Sequence, residues 1–406
     1  TLSVNRQTRA VLCINPSNPT GAFVGRRDRD VLRGFALWGI IVVNVAYFST
    51  SVSLGVSAES LVGTADIVAA FLVQALASGK FYLLFSFLFG YSAHYLLAKK
   101  DNGRTRWVTR SCGLVALGVA HAALFFIGDI LFLYGLLAFT VLAFYGKSRG
   151  VIIGWIAWLY GIFAALLTSV VVLTWAGETA GLTPGATPIP ALDEIVRQGT
   201  YLESIPARFE LWYSEAIFLV LFQGVLTLVA FLVGILAARS QFLDVGTMSR
   251  VTLQRLLGWG LGLGLPLQLL IAGVWLSNEL SAQRTETIAL ATFCGSFLSA
   301  PLLSAGYVGL IAWLVRTKPQ ITTWLGHMGR MSLTVYLSQS IGLSLIFSAW
   351  GGGLYQGVPY WVAVLIALGL TSVLALGASL WLARFSHGPM ERALTWFSLR
   401  FLTHQR

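Results

Sequence analysis

The stretch HAALFFIGDILFLY, His121 to Tyr134, decides how this chain is read. It is an apolar run that turns once, at Gly128-Asp129, and carries two ionisable groups, His121 and Asp129. Apolar sequence of near-spanning length on both sides of so short a turn describes a tight hairpin of two membrane spans, 111–127 and 130–146. In that setting each polar group that remains has to be accounted for.

Composition extends this reading to the whole chain. Of 406 residues 56% are hydrophobic and only 11% charged, with 14 Trp and 25 Phe, whereas soluble domains carry about 25% charged residues. The fold class that follows is all-α, a polytopic membrane helical bundle. The net charge of +11 is what a polytopic protein keeps on its cytoplasmic side, and it is no pointer to nucleic acid. Cys13, Cys112 and Cys294 lie far apart and form no CxxC pair. They indicate neither a disulfide framework nor a thiolate metal site.

Hydropathy places about ten spans, at 34–48, 80–98, 111–127, 130–146, 151–175, 214–238, 252–276, 288–315, 331–350 and 360–384, with 66–78 as a short interfacial piece. The organisation expected is a flexible cytoplasmic tail (1–29), a first five-span half (30–175), an extracytoplasmic loop (176–213), a second five-span half (214–385) and a basic amphipathic cytoplasmic tail (386–406). Charge supports the topology. With the N-terminus inside, nearly all Lys and Arg fall on one face, and the outer segments hold only Arg197, Arg208 and Arg284. Both termini are then cytoplasmic, and the location is the bacterial cytoplasmic membrane. Lys80 falls near the outer end of span two. The 1–25 segment contains NPSNPTG (Asn15 to Gly21), which is similar to a segment of pyridoxal-phosphate aminotransferases. No soluble α/β domain surrounds it, and it reads as ordinary turn chemistry. The first residue is Thr1, not Met, which suggests a trimmed or misassigned start.

The polar residues within the spans are the candidate site. Eight helical residues from His121 to Asp129 would rise about 12 Å, putting His121 near mid-membrane and Asp129 near the outer surface, out of contact. Asp129 reads as an N-cap on span four, and His121 as either a hydrogen-bonded core imidazole or a functional base. Asn44, Gln223 and Gln339 sit at intermediate depth, where an amide facing lipid is costly. They serve either as interhelical glue or as the lining of a polar cavity shared with His121. Asp30 and Arg33 are spaced for a local ion pair. Arg33, Lys80 and Arg330 also suit an anionic ligand, or plain snorkelling at helix ends. His94, His327, His387 and His404 read as interfacial. HExxH, GxSxG, a phosphate loop and a dinucleotide fingerprint are all missing, and no cluster suggests a metal.

On these residues the chain resembles the YeiB family of bacterial membrane proteins, a family of unknown function, over about Asp30 to Arg400. The resemblance rests on Asp30-Val-Leu-Arg33-Gly34 with Asn44, on Lys80-Phe-Tyr-Leu-Leu-Phe-Ser-Phe-Leu-Phe-Gly90, and on His121 with Gly128-Asp129 and Tyr134. It continues with Gly329-Arg330-Met-Ser-Leu-Thr-Val-Tyr336-Leu-Ser-Gln339-Ser and Gly388-Pro389-Met-Glu391. Val335 stands where the family pattern usually has a polar residue. The opening DxxRG…N is more distantly similar to the transmembrane acyltransferase superfamily. That likeness implies a bundle carrying an acyl group from cytoplasmic acyl-CoA, as substrate, to an acceptor. Those enzymes use a histidine in or just after span one, which this chain lacks, since His94 is its first.

The expected function is therefore a membrane-embedded O- or N-acyltransferase. His121 would be the base, Asn44 and Gln339 would orient the acceptor, and Arg33, Lys80, Asp129, Tyr336 and Arg330 would bind substrate. The alternative is a permease whose polar path these residues line. Partners would be the lipid bilayer and a small-molecule or lipid-linked acceptor, with room for a homo-oligomer.

Overall fold

In hydrocarbon a segment must close its own backbone hydrogen bonds, and apolar sequence of spanning length does so as helix. The computed structural model describes residues 21–52, 55–99, 102–182, 191–243, 248–320 and 322–403, and these contain helices and no strand. Residues 1–20, which hold most of NPSNPTG, and His404 lie outside the described residues.

The chain runs α1 (Gly21–Asn44), α2 (Ala46–Ser49), α3 (Thr64–Leu76), α4 (Lys80–Leu97), α5 (Gly103–Leu124), α6 (Leu131–Tyr145), α7 (Arg149–Thr179) and α8 (Ala191–Gln198). It continues α9 (Tyr201–Arg239), α10 (Arg250–Trp259), a π-helical turn (Gly260–Gly264), α11 (Leu265–Glu279) and α12 (Glu286–Thr317). Last come α13 (Thr323–Arg330), α14 (Ser332–Phe347), α15 (Tyr360–Arg384) and α16 (Pro389–Thr403). Eight helical stretches are long and apolar enough to cross a membrane, and α6 and α14 are shorter apolar helices. These ten stand where the spans were expected. The two short ones hold 15 and 16 residues, or about 22–24 Å of rise; the chain leaves the helix at 125–130 before α6 and at 348–359 after α14.

Two boundaries differ from the sequence reading. Residues 64–76 are not a separate interfacial piece. They are the first part of one broken candidate span, Thr64–Leu97, interrupted at 77–79 where Gly79 takes φ +80°. Lys80 therefore lies within that span and not at its outer end. Helix α9 also starts well before residue 214, at Tyr201, with Thr200 and Glu203 forming a capping box.

The quoted motifs turn out to be places where elements touch. A Cβ on Gly34 would lie 1.9 Å from the Leu325 carbonyl oxygen, and one on Gly329 would lie 1.7 Å from that of Asp30. The DxxRG and GR motifs thus form one backbone-to-backbone crossing of α1 and α13. Gly90 and Gly234 allow an equally close crossing of α4 and α9. Ser86 and Tyr134 hydroxyls share a 2.7 Å hydrogen bond, tying α4 to α6. Glu391 reaches from α16 to the first turn of α14, accepting from Leu333 N at 2.7 Å, Thr334 N at 3.2 Å and Thr334 Oγ1 at 2.6 Å. It is a capping carboxylate supplied by a distant segment.

Replacing Glu391 by Ala is expected to cost about 1–2 kcal/mol, read as earlier thermal unfolding in detergent, with Glu391→Gln recovering part of the loss. Gly329→Ala should destabilise more than Glu391→Ala, because backbone has to move.

Candidate functional site

Helix α5 ends at Leu124, one turn after His121. The chain then does not continue along the helix axis. Residues 125–130 fold back as non-helical backbone, and α6 starts beside the last turn of α5. This overturns the expected separation of about 12 Å, which assumed helical rise throughout. His121 Nδ1 lies 2.7 Å from Asp129 Oδ2, so the two share one depth. Both are buried, with His121 2% and Asp129 0% exposed.

Each oxygen of Asp129 has a task. Oδ1 accepts from Phe132 N at 2.8 Å, the capping role expected of it. Oδ2 takes the imidazole. Tyr336 of α14 packs its ring 5.2 Å from the His121 ring, and its hydroxyl accepts from Ile130 N at 3.4 Å. The fold-back is anchored from far along the chain. Arg208 of α9 donates to Ala123 O at 3.1 Å and Leu124 O at 3.0 Å, and Ser344 of α14 donates to Phe125 O at 3.0 Å. Arg208 is a positioning residue that the sequence reading used only to count charge. Its one available signal was a lone guanidinium near the start of a long apolar helix.

The chemistry follows from the pairing. A carboxylate on Nδ1 holds the proton there, orients the ring and leaves the Nε2 lone pair as an acceptor. Nε2 is buried and has no hydrogen-bond partner among the described residues. An imidazole is thus held on one nitrogen and left unpaired on the other.

The other expected site residues lie elsewhere. Gln339 donates to Leu37 O at 3.3 Å and Thr371 Oγ1 at 3.1 Å, bridging α14, α1 and α15, while its Oε1 has no partner among the described residues. Asn44 is half-buried seven residues beyond Leu37, about 10 Å along the helix, and no hydrogen bond joins it to Gln339 or His121. Of the two readings given for these amides, Gln339 takes that of glue between helices, and no hydrogen bond joins it to His121 or Asn44. Lys80 is fully buried in another cluster, with Nζ 2.8 Å from Gln74 O and 3.3 Å from Ser296 Oγ. Gln268 holds Ser296 in turn, and Ser304 and Tyr307 donate to Lys80 O and Leu76 O.

A third group lies at the arginine-rich end. Arg33 pairs with Asp30 at 2.9 Å, as the spacing predicts, and also donates to Ser92. Arg29 lies 4.5 Å over the Tyr95 ring. Arg110 of α5 is within Coulombic reach of Arg33 and Glu391. Arg330 donates to Ser386 O at 3.0 Å at the same end. Among the described residues no three His, Cys, Asp or Glu come together to hold a metal.

Comparison with known proteins places the chain. Residues 237–400 match the family model described as a protein of unknown function, DUF418. A Bacillus subtilis protein described as uncharacterized protein YxaH is 31% identical over 402 residues, covering 93% of this chain and 94% of the relative. The Escherichia coli protein described as uncharacterized protein YeiB is 26% identical over 380 residues, covering 89% and 93%. The chain belongs to the YeiB family. A Bacillus acidopullulyticus relative, 25% identical over 371 residues, is described as an uncharacterized 39.9 kDa protein in the amylase 3' region. For this YeiB-family chain, the matched model takes in α14 and the capping Glu391, whereas His121 and Asp129 precede it.

In 15N spectra of histidine-labelled protein, one buried histidine is expected to be protonated on Nδ1 alone. Asp129→Asn presents an amide donor to Nδ1 and should move that proton to Nε2. A wild-type His121 protonated on Nε2 would contradict this geometry.

Proposed function

We propose that this protein is an integral-membrane acyltransferase that takes the acyl group of acyl-CoA to a hydroxyl or amine acceptor. The observation that carries the reading is the buried His121–Asp129 pair with its open Nε2. In this scheme Nε2 removes the acceptor's proton as its oxygen or nitrogen attacks the thioester carbonyl. The tetrahedral adduct collapses, the C–S bond breaks, and the CoA thiolate takes the proton from the imidazolium. Asp129 stabilises the imidazolium in between and keeps the ring aligned.

Arg29, Arg33, Arg110 and Arg330 supply a cationic surface suited to the phosphates of the donor. Arg110 and His121 lie on one helix, eleven residues apart, which is about 16 Å of rise. An extended pantetheine arm is of that order, so phosphates at the arginines and a thioester near His121 are compatible.

A second reading, proton-coupled transport, is favoured by the Lys80 cluster. There a broken α3–α4 span, the π-turn before α11 and Pro301 within α12 put irregular backbone near a buried charge.

The deciding experiment adds acyl-CoA to purified protein. Donor binding should raise the unfolding temperature in wild type and His121→Ala, and the rise should vanish in Arg33→Gln/Arg110→Gln. With an acceptor present, thiol release should fall about 10²–10⁴-fold in His121→Ala. Absence of any thermal shift with any acyl-CoA, together with vesicle flux that Lys80→Ala abolishes, would replace the enzyme reading by the transporter.

A further inference from the structure

The short helix α8 packs on the bundle through one face. Its Leu192 and Val196 join Val52 and Tyr355 in a small apolar cluster, and Ile127 of the fold-back packs against it. Glu194, Arg197 and Gln198 on the other face are exposed. Asp193 belongs to the buried face and is 6% exposed. Its Oδ1 accepts from Val52 N at 3.2 Å and from the Tyr355 hydroxyl. Its Oδ2 is buried and has no hydrogen-bond partner among the described residues. Protonating that oxygen would not mend the deficit, because an acceptor is missing there as well.

The carboxylate also lacks a counter-charge. Among the described residues no ion pair includes Asp193. Arg197, one turn on, is taken up by Glu194, with Nε at 3.1 Å. Arg208 is taken up by the Ala123 and Leu124 carbonyls. Residues 53–54 and 183–190, which adjoin this layer in sequence and lie outside the described residues, include no Lys, Arg or His. A buried carboxylate oxygen with neither a donor nor a cation is costly, and a ligand that brings both removes the cost. A second unpaired group lies in the same layer. Ala349 N donates to Val196 O at 2.9 Å, one turn along α8 from Asp193, and this seats Trp350 beside the helix. Trp350 Nε1 is a buried donor with no partner among the described residues, and its ring lies 4.8 Å from that of Tyr201. One carboxylate among aromatic rings suits an organic cation and not a metal ion.

We propose that the layer under α8 binds a primary ammonium with an oxygen close by, the chemistry of an ethanolamine head. The ammonium donates to Asp193 Oδ2 and neutralises it, and the oxygen accepts from Trp350 Nε1. A quaternary ammonium has no N–H to give Oδ2, and a neutral diol brings no charge, so each meets half of the need. The head can come from a free amino alcohol or from phosphatidylethanolamine. This site is separate from the His121–Asp129 pair and does not depend on what that pair does.

The test follows thermal unfolding of the full chain in detergent, titrated at neutral pH and constant ionic strength with ethanolamine, choline or ethylene glycol. Ethanolamine is expected to raise the unfolding temperature saturably, at about tenfold lower concentration than choline, the worth of one charge-assisted hydrogen bond. Ethylene glycol should have no effect. Asp193→Asn keeps an acceptor for Val52 N and Tyr355, removes the charge, and should lose the ethanolamine response. Trp350→Phe keeps a ring, loses the indole N–H, and should weaken that response about fivefold. Should either variant fail to fold, the order of the ligands on wild type still decides. Native mass spectrometry with phosphatidylethanolamine and phosphatidylcholine separates the two sources. A preference for the first that Asp193→Asn abolishes assigns the lipid, and equal affinity beside an intact ethanolamine response assigns the free amine. Equal responses to ethanolamine and choline together with equal affinity for the two lipids, or an ethanolamine response unchanged in either folded variant, would overturn the assignment.

Discussion

Non-helical backbone buried among apolar helices has to find its hydrogen bonds inside the protein, and the fold-back at 125–130 does. Phe125 N and Phe126 N return to His121 O. Ser344 covers Phe125 O, and Tyr336 takes Ile130 N. Asp129 Oδ1 secures the start of α6. With those groups satisfied, the chain can leave the helix early, and the early exit brings Asp129 to His121. The short α6, the buried dyad and the position of Tyr336 are all consequences of it.

The same accounting explains how the rest of the bundle is arranged around that hairpin. Helix α14 supplies both Tyr336 and Ser344, so its placement fixes the fold-back from one side. That placement depends on Glu391 at its first turn and on Gln339, which ties it to α1 and α15. Arg208 closes the other side by taking the last carbonyls of α5. Two segments far apart in sequence, α9 and α14, thus meet on the few residues between Ala123 and Leu131.

Much of this was legible in the sequence. The helical class, the span positions and the turn at Gly128-Asp129 follow from apolar run lengths, and the i,i+3 pair of Asp30 with Arg33 follows from spacing. The contact of His121 with Asp129 did not, because helical rise was assumed to continue to residue 127. Nothing local contradicts that assumption. The groups that end α5 come from residues 85 and 219 positions away. Lys80 was misplaced for a similar reason. A single apolar stretch gives no sign that Gly79 will take positive φ and divide the span. The polar amides read either as glue between helices or as the lining of one space. Gln339 takes the first role, donating to a backbone carbonyl and a hydroxyl on neighbouring helices, which is the nearer way to satisfy an amide in hydrocarbon.

The His121–Asp129 pair differs from the Gln339 bridge in what its hydrogen bond joins. Capping α6 requires one carboxylate oxygen, and a serine or asparagine would supply an acceptor without a buried charge. Filling the space beside Tyr336 requires an apolar side chain, and well-packed apolar groups commonly match or exceed a buried polar pair in stability. Neither task explains an imidazole with one nitrogen held and the other unpaired, at the desolvation cost that a buried unsatisfied atom carries. Gln339 shows the contrast. Its Oε1 is also buried without a partner among the described residues, but its amide nitrogen joins three helices, so its role in the fold is visible in its partners. For His121 the visible partner only orients the ring, and that orientation has a purpose when something else arrives at Nε2.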